Sequence, residues 1–96
     1  MSRLSLTPAA KGDLDSIWTS STKRWGINQA EAYLRLLGQA LRSLAESPGL
    51  GRSMEDIRPG YFKFPSASHV IFYRKTGTGI EIVRVLHKSM DVERHL

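Results

Sequence analysis

Three histidines, at positions 69, 87 and 95, have the widest chemical scope in this chain, because imidazole titrates near neutral pH. Their spacing argues against a metal site: no two stand at i, i+3 or i+4, the separations that put paired ligands on one helix face. The chain has no cysteine, which removes thiolate zinc sites, disulfides and a Cys nucleophile. No metal and no cofactor is therefore expected. Gly77-Thr78-Gly79 lacks the lysine and following helix of a phosphate loop and reads as a turn. No Gly-x-Ser-x-Gly elbow occurs.

Two kinds of activity stay open on the residues alone. Metal-independent RNA cleavage needs a base, an acid and cations that stabilise a charged phosphorane. Lys63, Arg74, Lys75, Arg84 and His87 fall on neighbouring strand-like runs and could form a cationic cup. Strand alternation puts Arg84 on the face of Ile82, a cation on an otherwise apolar surface. Ordinary solvated strand charges would give the same pattern. The other activity is binding. Eight aromatic residues, Trp18, Trp25 and Tyr33 among them, exceed what one core layer needs, and an exposed groove could bury a partner segment. The two tryptophans could equally staple helices to a sheet.

Two kinds of element must position these groups. Residues 2–6 alternate polar and apolar, as a short strand does. Thr7-Pro8 then reads as a helix start, with Thr7 as cap and Pro8 at the first helical position. Leu14, Ile17, Trp18 and Trp25 share a face of that helix, and Gly26 closes it. Asn28 with Glu31 has capping-box spacing for a second helix, whose apolar stripe runs from Ala30 to Ala45. Ser47-Pro48-Gly49 ends it. Two amphipathic helices so closely joined form an antiparallel hairpin.

Residues 48–60 read as a long loop. Strands follow at 61–64, 69–75 and 80–87, linked by turn-forming residues as a meander. Val70 and Phe72 share one face, Ile71 and Tyr73 the other. Residues 80–87 are apolar on both faces, so that strand belongs inside the sheet, with residues 2–6 free to pair with it or with the meander's edge. For the polar tail, 88–96, the expectation is a short turn or 3₁₀ segment that docks Met90 and frays beyond it. The fold class is α+β, in the order β-α-α-β-β-β, with the helix hairpin on one face of a mainly antiparallel sheet.

The chain has 96 residues and a net charge of +5, enough for one domain, 1–96, with one modest core. Residues 1–50 carry 6 basic and 4 acidic side chains, and residues 51–96 carry 8 and 5, so the excess is spread rather than concentrated in a polybasic tail. Hydrophobic content of 41% argues against disorder. No apolar run approaches a membrane span and the N-terminus lacks a secretory pattern, so a cytoplasmic protein with no membrane role is expected.

The ordered set of motifs resembles the ParE family, toxins of bacterial type II toxin–antitoxin modules within the RelE/ParE superfamily. It begins with Leu6-Thr-Pro-Ala-Ala10, Asp13-Leu14 and Arg24-Trp25-Gly26. It continues through Ile57-Arg58-Pro59-Gly60-Tyr61 and Ser68-His69-Val70-Ile71-Phe72-Tyr73-Arg74, and closes with Ile82-Val-Arg84-Val-Leu86-His87-Lys-Ser-Met90-Asp91. The resemblance spans nearly the whole length. It implies a toxin that inhibits DNA gyrase by binding rather than catalysis, so that replication stops. It implies neutralisation by a ParD-like antitoxin, and contact with operator DNA only through that antitoxin.

On that resemblance, the target-binding residues are Arg58, Arg74, Arg84 and His87, with Met90, Asp91 and Arg94 of the tail. Trp18, Trp25, Tyr33 and Leu37 are the antitoxin anchors. The sibling RelE-like toxins, ribosome-dependent mRNA endonucleases, supply the alternative. They carry a basic cluster on the sheet and a Tyr or His near the C-terminus. This chain has no Tyr after Leu86, but His87 lies near the acid/base position.

Overall fold

The computed structural model describes residues 3–96. Strand β1 (Arg3–Leu6) leads into helices α1 (Pro8–Trp25) and α2 (Ile27–Glu46). A 3₁₀ turn (Pro48–Leu50) precedes β2 (Arg52–Ser53), β3 (Tyr61–Ser66), β4 (His69–Lys75) and β5 (Gly79–His87), and a short helix, α3 (Val92–His95), ends the chain. The five strands form one sheet in the order β1-β5-β4-β3-β2. β1 runs parallel to β5, and the other pairs are antiparallel. The expected β-α-α-β-β-β order is present, with the two-residue β2 added inside the segment expected to be loop. β5 lies inside the sheet and β1 pairs with it. The expected first strand included Ser2, which lies outside the described residues.

Local chemistry accounts for the helix hairpin. Ala10 N–H donates to Thr7 Oγ1 at 3.0 Å, and Pro8 takes the first helical position. Gly26, at φ 87°, reverses the chain by itself: its N–H donates to Thr22 and its carbonyl accepts from Ala30. The expected Asn28 cap is therefore not used. α2 begins at Ile27 with no side-chain cap, because the glycine turn starts the helix two residues before the capping box would.

Alternation in β3 and β4 splits the apolar residues between two faces. Ile71, Tyr73, Ile80, Ile82 and Val85 meet the helix residues Ile17, Leu37, Leu41 and Leu44 in the main core. Tyr73 is fully buried, and burial pushes its phenol pKa up. Its hydroxyl donates to the Pro48 carbonyl at 2.7 Å and accepts the Gly51 N–H at 2.9 Å, pinning the 3₁₀ turn beneath α2. A Cβ on Gly51 would strike that hydroxyl, which accounts for glycine there.

On the opposite face Met54, Phe72 and Leu86 form a second, smaller cluster, roofed by Tyr61, Val70, Val92 and Leu96. The tail therefore docks differently from the sequence expectation. Met90 stays 44% exposed, while Asp91 caps α3 and Val92 and Leu96 pack down. The two apolar side chains lie four residues apart, one helical turn, and so face the sheet together.

A bulge between β4 and β5 corrects a second expectation. Tyr73 stands opposite Ile82, but Phe72 stands opposite Arg84, so Val83 is the extra residue. Ile82 then faces the helices with Tyr73, and Arg84 faces the other way with Phe72. The two do not share a face.

Candidate functional site: a groove between the helix hairpin and the sheet

β1 covers β5 only as far as Ile82. Beyond that point side chains satisfy the edge of β5. Thr7 N–H and Oγ1 donate to the carbonyls of Ile82 and Val83. Asp13 Oδ2 accepts the Val85 N–H at 2.9 Å. Both Asp13 oxygens also take Arg84, through Nε at 2.8 Å and Nη2 at 2.7 Å. The same guanidinium reaches round the edge and donates from Nη1 to the His95 carbonyl at 2.9 Å. Arg84 thus ties α1, β5 and α3 together, and its Asp13 hydrogen bonds raise its pKa further.

Because no strand fills this edge, a groove of about 440 Å³ opens between α1 and the ends of β4 and β5. The α1 wall carries Asp13, Ser16, Ser20, Ser21 and Arg24; the sheet wall carries Ser68, His69, Val85 and His87, with Met90 beyond. Small hydroxyl residues on α1 leave this space open where leucines would fill it. Trp25 and Tyr33 close one end.

The floor is an ordered polar chain. Ser68 N–H donates to Tyr33 Oη at 3.1 Å, and Tyr33 Oη lies 2.6 Å from His69 Nδ1. Tyr33 Oη thus joins the Ser68 backbone to the His69 ring, the direction of the Tyr33–His69 bond following the imidazole tautomer. The rings of His69 and His87 meet edge to face, centroids 5.4 Å apart, as their opposed register positions require. Burial lowers the His69 pKa, the neighbouring His87 lowers it further, and Asp13 acts weakly the other way. His87 Nδ1 lies 2.7 Å from Ser89 Oγ, and the Ser89 N–H also donates to it, at 3.2 Å.

The residues expected at the target surface fall into two groups. Arg58 lies over the Tyr61 ring, centroid distance 5.8 Å, and Tyr61 stands opposite Arg74. Arg74 is bonded to Glu81 at 2.7 Å. Arg84, His87, Met90, Asp91 and Arg94 gather at the far end of β5 and along the tail; Met90 and Arg94 are exposed, and Asp91 caps α3. Both arginines on β4 and β5 therefore have internal carboxylate partners, Glu81 and Asp13.

Of the expected antitoxin anchors, Trp25 is 54% exposed, and Trp18 and Tyr33 are half-buried. Leu37 corrects the expectation: it is 1% exposed and belongs to the main core, so it presents no surface. Trp25, Tyr33, Gln29, Ala32 and Leu36 line a second, shallower trough of about 350 Å³ on the outer side of α2. Sequence reasoning considered His69 only as a metal ligand and missed its place on the groove floor. The position of His69 and His87 at the facing ends of two predicted strands was the available signal.

Comparison with known proteins adds a family to this geometry. Residues 4–92 match the model described as "ParE toxin of type II toxin-antitoxin system, parDE". The chain is 51% identical over 96 residues to Toxin ParE1 of Mycobacterium tuberculosis H37Rv, covering 99% of this chain and 98% of that one. It is 50% identical over 91 residues to Toxin ParE1 of Caulobacter vibrioides, with 95% and 94% covered. Among solved structures, a chain of the chromosomal ParDE system from P. aeruginosa superposes with a TM-score of 0.79 at 21% identity, covering 91% of this chain and 96% of that one. A chain of the YoeB–YefM complex from Staphylococcus aureus superposes with a TM-score of 0.62 at 13% identity, covering 91% and 97%; both superpositions speak to the fold. With the family model spanning the sheet, the hairpin and the start of the tail, and half the residues shared with two curated toxins, the chain belongs to the ParE toxin family of type II toxin–antitoxin systems.

Proposed function

We propose that this toxin stops growth by binding DNA gyrase in the cytoplasm, and that a ParD-like antitoxin neutralises it. The observation that carries the reading is the full-length family match, which includes the tail motif His87-Lys88-Ser89-Met90-Asp91. The protein acts as a binder, without a catalytic step. Its target surface is the end of β5 with the exposed side of the tail, His87, Met90, Asp91 and Arg94, joined by Arg58 and Arg74 from the sheet face that carries Tyr61 and Phe72. Arg84 serves that surface by anchoring the tail through the His95 carbonyl.

The antitoxin segment is acidic and amphipathic. It lies in the trough beside α2, where Trp25, Tyr33 and Leu36 offer apolar footholds, with Trp18 beside them on α1. The net charge of +5 speeds its approach. The protein meets operator DNA through that antitoxin.

Supercoiling by purified gyrase in the presence of the protein tests the first part, beside an assay for cleavage of ribosome-bound mRNA. Inhibited supercoiling with intact mRNA is the expected result; cut mRNA with gyrase unaffected would replace the reading by the RelE-like endonuclease one. Met90→Ala combined with Arg94→Glu changes only exposed positions. The pair should weaken gyrase inhibition and leave antitoxin binding intact, whereas Trp25→Ala should do the reverse.

A further inference from the structure

The groove beside α1 shares His87 and Met90 with the proposed gyrase surface and Trp25 and Tyr33 with the antitoxin trough, and its charge pattern points to a small ligand as well. Asp13, the carboxylate on its walls, is neutralised by Arg84 and the Val85 N–H. Arg24, at the other end of the same helix stripe, makes no ion pair among the described residues; its guanidinium lies 5.5 Å from the Trp25 ring centroid. The same groove carries the two imidazoles, His69 bonded through Nδ1 to Tyr33 and meeting His87 edge to face. The surplus is one fixed cation, Arg24, beside two imidazoles. A guanidinium fork suits a tetrahedral oxyanion. The groove is larger than one phosphate needs, at about 440 Å³, and Ile17, Val85, Trp25 and Met90 give it apolar walls. A ligand that fits it carries a phosphate beside a flat apolar body.

We propose that this groove binds a nucleotide, its phosphate held by Arg24, His69 and His87 and its base lying against Trp25. Tyr33 is a positioning residue, holding the His69 ring through Nδ1. The site overlaps the proposed gyrase surface at His87 and Met90. The groups facing the histidines set the pH dependence: Asp13 is committed to Arg84, Arg24 stays charged, Tyr33 is bonded to His69, and His69 and His87 face each other. A bound phosphate favours protonation of His69, whose pKa burial and the neighbouring His87 lower from 6.5, so affinity rises as pH falls through and below that value.

Titration of the full chain with AMP, followed by tryptophan fluorescence excited beyond nucleotide absorption and by calorimetry, tests this. Saturable quenching is expected, lost in Trp25→Phe while calorimetric binding persists more weakly. Arg24→Gln and His87→Gln, both at exposed positions, should each weaken AMP by about tenfold, the scale of one charge-assisted hydrogen bond. AMP should bind more tightly at about pH 6 than at about pH 8. Adenosine should bind at least about tenfold less tightly than AMP. Overturning results are no saturable binding at millimolar AMP, equal affinity for adenosine and AMP, equal affinity for N-acetylglutamate and AMP, or unchanged affinity in both charge variants.

Discussion

On the helix side of the sheet, eleven buried residues interlock across four elements, and Tyr73 pins the 3₁₀ turn beneath α2 with two hydrogen bonds. On the other side only Met54, Phe72 and Leu86 are fully enclosed, beneath a roof of strand and tail residues that are themselves half exposed. The first face is closed by long helices and depends on volume matching. The second is closed by a four-residue helix, α3, that could not persist alone; Val92, Leu96 and the Arg84 contact hold it down. Stability therefore concentrates on one face. The other face is closed by few contacts, so its tail should open at lower cost than the helix hairpin.

That contrast can be broken or sharpened in order of expected effect. Leu44→Ala empties a fully buried site between α2 and the sheet. It should cost about 3–4 kcal/mol in chemical denaturation, and a cost near that of a tail substitution would erase the difference between the faces. Asp13→Ala leaves the Arg84 guanidinium and the Val85 N–H without their shared acceptor. Its expected cost is about 2–3 kcal/mol, and because Arg84 also holds His95, hydrogen exchange should quicken in α3 as well as along β5.

Leu96→Ala removes half-buried apolar surface from the second cluster. Roughly 1 kcal/mol is expected, with faster exchange confined to residues around α3. Global loss of protection would mean the tail is integral to the main core. The smallest effect concerns pH. The folded state lowers the His69 pKa from 6.5, so the unfolded chain binds more protons in that range. Stability from this group is present above the unfolded pKa and declines as pH falls through 6.5 toward the lower folded value. Melting temperature should drop between about pH 8 and pH 5, less steeply in His69→Gln.

Much of this was legible from periodicity. The Thr7-Pro8 start, the glycine turn at 26, the alternation of Val70 through Tyr73 and the central place of residues 80–87 each follow from local sterics or from the need to bury a face. The Asn28 cap misled because a capping box and a glycine turn compete for the same few residues, and the tighter turn prevailed. The tail misled because its apolar positions are sparse: Val92 and Leu96 become a pair only once a helical turn forms, and what stabilises that turn is the sheet beneath it.

The groove shows the division most clearly. The sequence by itself determined that histidines end two facing strands, that a basic surplus is spread along the chain, and that a glycine turn closes the hairpin. Only the tertiary structure decided which groups meet. Around the β4–β5 turn, Arg74 stands opposite Glu81 and Tyr73 opposite Ile82; continued unbroken, that register would place Leu86 opposite His69. One bulged residue, Val83, shifts the pairing so that His87 stands there instead, and turns Arg84 away from the face of Ile82. Asp13 and Arg84 lie 71 positions apart, a separation over which no local pattern carries information. Their pairing exists because β1 stops short and an unpaired edge N–H on β5 had to be satisfied from α1. Backbone hydrogen-bond accounting across the whole sheet made that choice.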